Sequence, residues 1–169
     1  MKYIERQKFN QWWLWCLMIG VFILTLIPLF NGSFNAGVLI GPAVTALVMI
    51  FLATLELRTT ITEDGIEVKF WPLVTKRIFR SEIESAVVRK YSPIREFGGW
   101  GYRFGRSGTA INMQGNDGLE LTLKHGSKLV IGTRKPAELT AFMEEYLRDE
   151  SLEAEGLKLR EIRENKLPR

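Results

Sequence analysis

The sequence has one cysteine, one histidine and, from Phe9 to Leu55, no charged residue of either sign. Each shortage excludes something. Cys16 alone forms no disulfide within the chain and no cysteine metal site. His125 has no second histidine with which to build a metal centre. It is expected at a hairpin tip, out of reach of Cys16, so a Cys–His nucleophile and base pair is excluded. No G-K-[ST] phosphate loop is present, and no recognised RNA- or DNA-binding motif. The expectation is a protein without catalytic residues, metal or cofactor, and no nucleic-acid partner.

The uncharged stretch holds two apolar runs, about residues 12–30 and 36–55, separated by the polar turn Asn31-Gly32-Ser33-Phe34-Asn35. A helix needs about 20 apolar residues to cross a hydrocarbon core of roughly 30 Å. The runs therefore predict a transmembrane helical hairpin over residues 1–56. The first run is too long for a signal-peptide core, and no small-residue cleavage site follows it. Trp12, Trp13 and Trp15 stand at its start, where indole rings favour the water–lipid boundary. Pro28 lies near the end of the first helix, and Pro42 lies early in the second. Gly37, Gly41 and Thr45 form a small-residue stripe, expected to pack against the partner helix of the same hairpin. Lys2, Arg6 and Lys8 precede the first run, and the turn carries no charge. The positive-inside rule then places both termini and everything after residue 56 in the cytoplasm, on the inner membrane.

Beyond Leu55 the hydrophobic period changes to two. Ile66, Val68 and Phe70 alternate with Glu67 and Lys69, and Leu119, Leu121 and Leu123 with Glu120, Thr122 and Lys124; Leu129 and Ile131 lie on one side of another short run. Further strands are expected over Thr75–Ile83 and Ala86–Tyr91, with a corner at Ser81-Glu82-Ile83-Glu84. The pair His125-Gly126 suits a two-residue hairpin. Leu139, Phe142, Met143, Tyr146 and Leu147 recur at helical spacing after Pro136, predicting an amphipathic helix over Ala137–Arg148. The soluble domain is thus expected over 57–148. The charged tail 149–169 is expected to be partly helical or flexible.

Between Lys69 and Lys135 there are 13 Lys or Arg against 5 Asp or Glu. Such a basic domain beside a bilayer is drawn to anionic head groups, at roughly 1 kcal/mol per well-placed cation; a solvated basic face gives the same composition. The candidate contacts with lipid or a partner are Lys76, Arg77, Arg80, Arg103 and Arg106. The Gly-rich stretch Gly98, Gly99, Trp100, Gly101, Tyr102 has two readings. It is a loop that holds Trp100, Tyr102 and Arg103 against lipid or a partner, or it is a sharply bent strand with Trp100 packed across it. The second predicts a packed Trp100 and an exposed Arg103.

The run Leu57-Arg58-Thr59-Thr60-Ile61-Thr62-Glu63-Asp64-Gly65-Ile66-Glu67-Val68, followed by Arg80-Ser81-Glu82-Ile83-Glu84-Ser85-Ala86-Val87, resembles the membrane-anchored pleckstrin-homology-like proteins of bacteria. The likeness covers about residues 57–147. It implies an α+β split barrel, a bent antiparallel sheet closed by a C-terminal helix. Its motifs are structural, so they speak to fold more than to function. The functional expectation is a non-enzymatic, membrane-anchored interaction domain that contacts lipid. The alternative is an accessory subunit of a larger membrane complex, through another membrane protein or self-association. A small membrane enzyme using acids near the Gly-rich loop is a third reading.

Overall fold

The computed structural model describes residues 1–32, 35–105 and 108–148. Two helices, α1 (Trp12–Phe30) and α2 (Ala36–Thr54), are each 19 residues long and apolar enough to cross a membrane. At about 1.5 Å per residue, each measures roughly 29 Å. They pack side by side. A Cβ on Gly41 would stand 3.4 Å from Thr25 of α1, so the small-residue stripe faces the partner helix. Asn35 caps α2, its side chain accepting from Val38 N–H at 3.0 Å. Ser33 and Phe34 of the turn, and the tail 149–169, lie outside the described residues.

After the helices comes a sheet-rich α+β domain of two bent sheets and a C-terminal helix. The first sheet runs in the order β1-β2-β3-β4, with β1 Tyr3–Lys8, β2 Glu56–Thr62, β3 Gly65–Trp71 and β4 Val74–Phe79. A single helical turn, Arg80–Glu82, makes the expected corner. The second sheet has the order β5-β8-β9-β7-β6, from β5 Ile83–Lys90, β6 Gly101–Gly105, β7 Gly108–Asn112, β8 Asp117–Leu123 and β9 Lys128–Gly132. Helix α3 (Pro93–Phe97) precedes β6, and helix α4 spans 136–148.

One core joins both sheets and α4. Leu57, Ile61, Val68 and Phe70 come from the first sheet, Leu119, Leu121, Leu129 and Ile131 from the second, and Leu139, Met143 and Tyr146 from α4. Alternation explains β2, β3 and β8, which bury one face each. The central strand β9 is covered on both faces. Leu129 and Ile131 enter the main core, while Val130 packs with Tyr91, Phe97 and Ala110 beneath α3.

Two features depart from the expected single antiparallel sheet. Strand β9 pairs antiparallel with β8 and parallel with β7, because it inserts between them. The first sheet also takes in Tyr3–Lys8, residues that precede α1 and lie outside the expected 57–148 domain. All six residues of β1 pair antiparallel with β2, from Tyr3↔Ile61 to Lys8↔Glu56.

The inner face of β1 is polar: Tyr3, Glu5 and Gln7 are buried, Glu5 at 5% and Gln7 at 1% exposure. A buried carboxylate needs full hydrogen bonding to offset its desolvation. Glu5 accepts from the Tyr3 hydroxyl (2.9 Å), Gln7 Nε2 (3.1 Å), the Thr133 hydroxyl (2.7 Å) and the Arg134 backbone N–H (2.7 Å). Gln7 Nε2 also donates to the Gly132 carbonyl at 2.7 Å. The end of β9 and the start of the loop to α4 are thereby stapled to a strand 125 residues or more earlier. Burial pushes the Tyr3 phenol up, and the adjacent Glu5 charge pushes it the same way.

Each buried donor left without an acceptor costs about 1–3 kcal/mol, and Glu5→Ala orphans several. We therefore expect Glu5→Ala to destabilise the domain by at least ~3 kcal/mol, whereas Ile4→Ala on the outer face stays within about 1 kcal/mol. Thermal unfolding of the full chain in mild detergent measures both.

Candidate site at the helix-proximal end of the first sheet

Strands β1 and β3 run toward the helices, and β2 runs away from them. Only Phe9, Asn10 and Gln11 separate β1 from α1, and only Leu55 separates α2 from β2. Leu55 is buried in the core, with Phe9 and Leu52 packed against it. Trp15 Nε1 donates to the Phe9 carbonyl at 3.2 Å, fixing the start of α1 to the linker.

Directly opposed residues on neighbouring strands share a face. On the outer face of the first sheet the row nearest the helices is Lys8, Glu56 and Trp71. The next row is Arg6, Arg58, Lys69 and Thr75. Three cations thus stand side by side on three adjacent strands, spaced about 4.8 Å per strand. Like charges directly opposed are destabilising. Glu56 pairs with Arg58 at 3.1 Å, and Glu67 with Lys69 at 2.5 Å. Among the described residues, no carboxylate pairs with Arg6 or Lys8. Lys69 and Arg77 together hold the Glu67 carboxyl below the usual carboxylate range.

Two clefts open here. One, of about 420 Å³, is lined by Lys8, Ala53, Thr54, Glu56, Arg58, Lys69 and Trp71. The other, of about 500 Å³, is lined by Arg6, Lys8, Phe9, Asn10, Trp15, Ala53 and Arg134. Lys8 stands between them. The Glu5 staple places Arg134 at the second cleft, since the Arg134 N–H donates to Glu5. A group that suits this end has negative charge and sits beside apolar helix ends.

The residues expected from sequence lie elsewhere and apart. Lys76 is half-buried on β4. Arg77 is exposed and ion-paired to Glu67 at 2.6 Å. Arg80 lies past the far end of β4; its guanidinium stands 4.4 Å from the Tyr146 ring centroid and donates to the Tyr146 carbonyl at 2.9 Å. Val74 to Arg80 is six steps along the chain, so at about 3.3 Å per residue Arg80 is roughly 20 Å from the helix-proximal end. Arg103 is exposed on β6, an outer strand of the second sheet, and donates to the Trp100 carbonyl at 3.0 Å. Arg106 lies outside the described residues.

The Gly-rich stretch forms the end of α3 and the β6–β7 hairpin. Gly98 caps α3, Gly99 leads into Trp100, and Gly101 N–H donates to Asn112 Oδ1 at 2.8 Å. Trp100 is half-buried, its indole N–H donating to the Gly115 carbonyl at 3.1 Å. The Tyr102 ring meets Phe104 edge-on at 4.9 Å. Close approach demands two of the glycines: a Cβ on Gly105 would collide with the Glu96 carbonyl, and one on Gly108 with that of Lys128.

Two further clusters were not anticipated. Arg89 bridges Glu96 of α3 (2.7 Å) and Glu120 of β8 (2.5 Å). Its guanidinium and the Ser92 N–H hold the Glu96 carboxyl below its usual range. At the β8–β9 turn, Ser127 Oγ lies 2.6 Å from His125 Nε2. This pair is exposed, and among the described residues no carboxylate orients the imidazole, as a nucleophile–base relay requires.

No family model matches the chain, and comparison with curated proteins returned no match.

The cation row predicts a trade-off in stability. Arg6 faces Arg58 and has no acidic partner of its own among the described residues, so Arg6→Thr is expected to stabilise the domain by about 0.2–1 kcal/mol. Urea or thermal unfolding at low ionic strength reads this directly, and the gain should shrink as salt is added.

Proposed function

We propose that this chain is a non-enzymatic, membrane-anchored interaction domain that engages anionic lipid. On this reading α1 and α2 cross the cytoplasmic membrane as a hairpin. Both termini and the two sheets lie on the cytoplasmic side, where Lys2, Arg6 and Lys8 flank the first helix. The domain is read as pleckstrin-homology-like, in keeping with the resemblance over residues 57–147. The observation that carries the proposal is the Arg6–Arg58–Lys69 row beside the helix ends. A head-group phosphate there neutralises Arg6 and Lys8, which have no acidic partner among the described residues, and each cation near an anionic surface contributes about 1 kcal/mol.

A specific observation favours the alternative of an accessory subunit. Ile94 of α3 and Phe104 of β6 are large apolar side chains left exposed at one edge of the second sheet. A membrane-protein partner docked on that edge would cover them, and would co-purify with the chain in mild detergent.

The lipid reading is tested on the full chain in detergent by adding anionic or zwitterionic lipid and following thermal unfolding. Saturation at ten times Kd adds about 1.4 kcal/mol, a rise of several degrees, and salt should reduce it. Replacing Arg6, Lys8, Arg58 and Lys69 by Gln should remove the rise; Lys76→Gln with Arg77→Gln should leave it. An equal rise with zwitterionic lipid would overturn the reading. Orientation is tested separately with C-terminal reporter fusions. A reporter active only in the cytoplasm should work, and one active only outside should be silent.

A further inference from the structure

We infer that the β3–β4 turn, Trp71-Pro72-Leu73, is a third membrane contact that inserts its apolar tip into the lipid interface beside the two helices. The inference rests on the spanning reading of α1 and α2, and is independent of any preference for anionic lipid.

Direction carries the argument first. β1 and β3 are both antiparallel to β2, so they run the same way. β1 continues past Lys8 into α1, and β3 continues past Trp71 into the turn. Lys8, Glu56 and Trp71 occupy one row across the sheet. Lys8 lies four residues before α1 and Glu56 two residues after α2. Two strand spacings put Trp71 roughly 10 Å from Lys8 at the same level. A bilayer that takes in the helices at this level meets the turn as well.

Side-chain chemistry agrees. Trp71 is 59% exposed and Leu73 55% exposed, although both are large and apolar. Elsewhere the strand obeys the pleat, burying Ile66, Val68 and Phe70. Trp71 occupies an outer-face position that otherwise takes charge, as at Glu67 and Lys69. Indole rings partition to the head-group boundary, and basic residues beside an apolar tip suit the phosphate level above it. Lys69 supplies one two residues back.

The backbone is also fit to enter. An unsatisfied N–H in lipid is costly. Pro72 has none, and the Leu73 N–H is already donated to the Phe70 carbonyl at 2.8 Å.

The test uses nitroxide labels on the full chain in lipid nanodiscs. In a Cys16→Ser background, single cysteines are placed by Leu73→Cys, by Leu24→Cys within α1, and by Asp64→Cys at the opposite end of the first sheet. Collision with oxygen, which partitions into lipid, is compared with collision by a water-soluble nickel chelate. We expect the oxygen-to-nickel ratio at position 73 to exceed that at 64 several-fold and to fall below that at 24. We expect the same ratio at 73 in purely zwitterionic discs, since apolar insertion needs no anionic lipid. A label at 73 as open to nickel as that at 64 overturns the inference. So does immersion that appears only in anionic discs, which would mark an electrostatic contact. If position 24 is itself water-exposed, the spanning reading fails and this inference falls with it. Loss of the anionic-lipid effect on unfolding, with position 73 still immersed, would refute only the anionic reading.

Discussion

The pairing of β1 with β2, locked by the buried Glu5 carboxylate, is the constraint on which the rest of this structure depends. The chain leaves the sheet at Lys8, passes through two apolar helices and re-enters the same sheet at Glu56, the residue opposite Lys8. The entry and exit points of the hairpin are therefore adjacent strands. An unpaired carboxylate in that position would unfold its surroundings. Four donors from β1 and from the loop before α4 prevent this. A fragment beginning at residue 57 would leave the β2 edge open. It would also strip the Thr133 hydroxyl and Arg134 N–H of their acceptor.

Charge is handled differently on the two sheets. On the second, Arg89 is satisfied twice, by Glu96 and Glu120, and serves to fasten α3. On the outer face of the first, Arg6 and Lys8 have no acidic partner among the described residues, and Arg6, Arg58 and Lys69 are set side by side. A row of like charges works against folding. On the proposed lipid reading, its position next to the helix ends is where a bilayer surface relieves it.

Much of the fold was legible in the sequence because it rests on local pattern. Strands β3 and β8 and the amphipathic helix 136–148 carry a hydrophobic repeat of the right period, while the two apolar helices and β9 show as uninterrupted apolar runs of helix and strand length. Strand β1 alternates too, but its buried residues are Tyr, Glu and Gln, so a hydrophobic pattern does not reveal it. The five residues of α3 are too few for periodicity; its signature is Ser92-Pro93 at the start and Gly98 at the end. The parallel β7–β9 pair depends on strand order, which no local window contains. The same limit hid the candidate site. Lys76, Arg77 and Arg80 cluster in sequence, yet the pleat and the turn after β4 send them different ways. Arg6, Arg58 and Lys69 are separated by up to 63 positions and meet only through the register.

Short joints turn this register into orientation. Three residues connect β1 to α1 and one connects α2 to β2. Two such links, a strand's width apart, leave the sheet little freedom to swivel about the helix axes. A domain on one flexible linker would have to find the bilayer with the right face by affinity. Here the covalent path presents the Lys8–Glu56–Trp71 end continuously. On the spanning reading of the helices, the effective concentration of lipid at that end is high, and contacts that would be negligible between free partners become occupied. Weak individual interactions at the cation row are then sufficient, and no deep head-group pocket is needed. That accords with open clefts at this end rather than an enclosed cavity. On the same reading, a domain of this size gains a membrane-facing surface without diverting core residues to build a binding site.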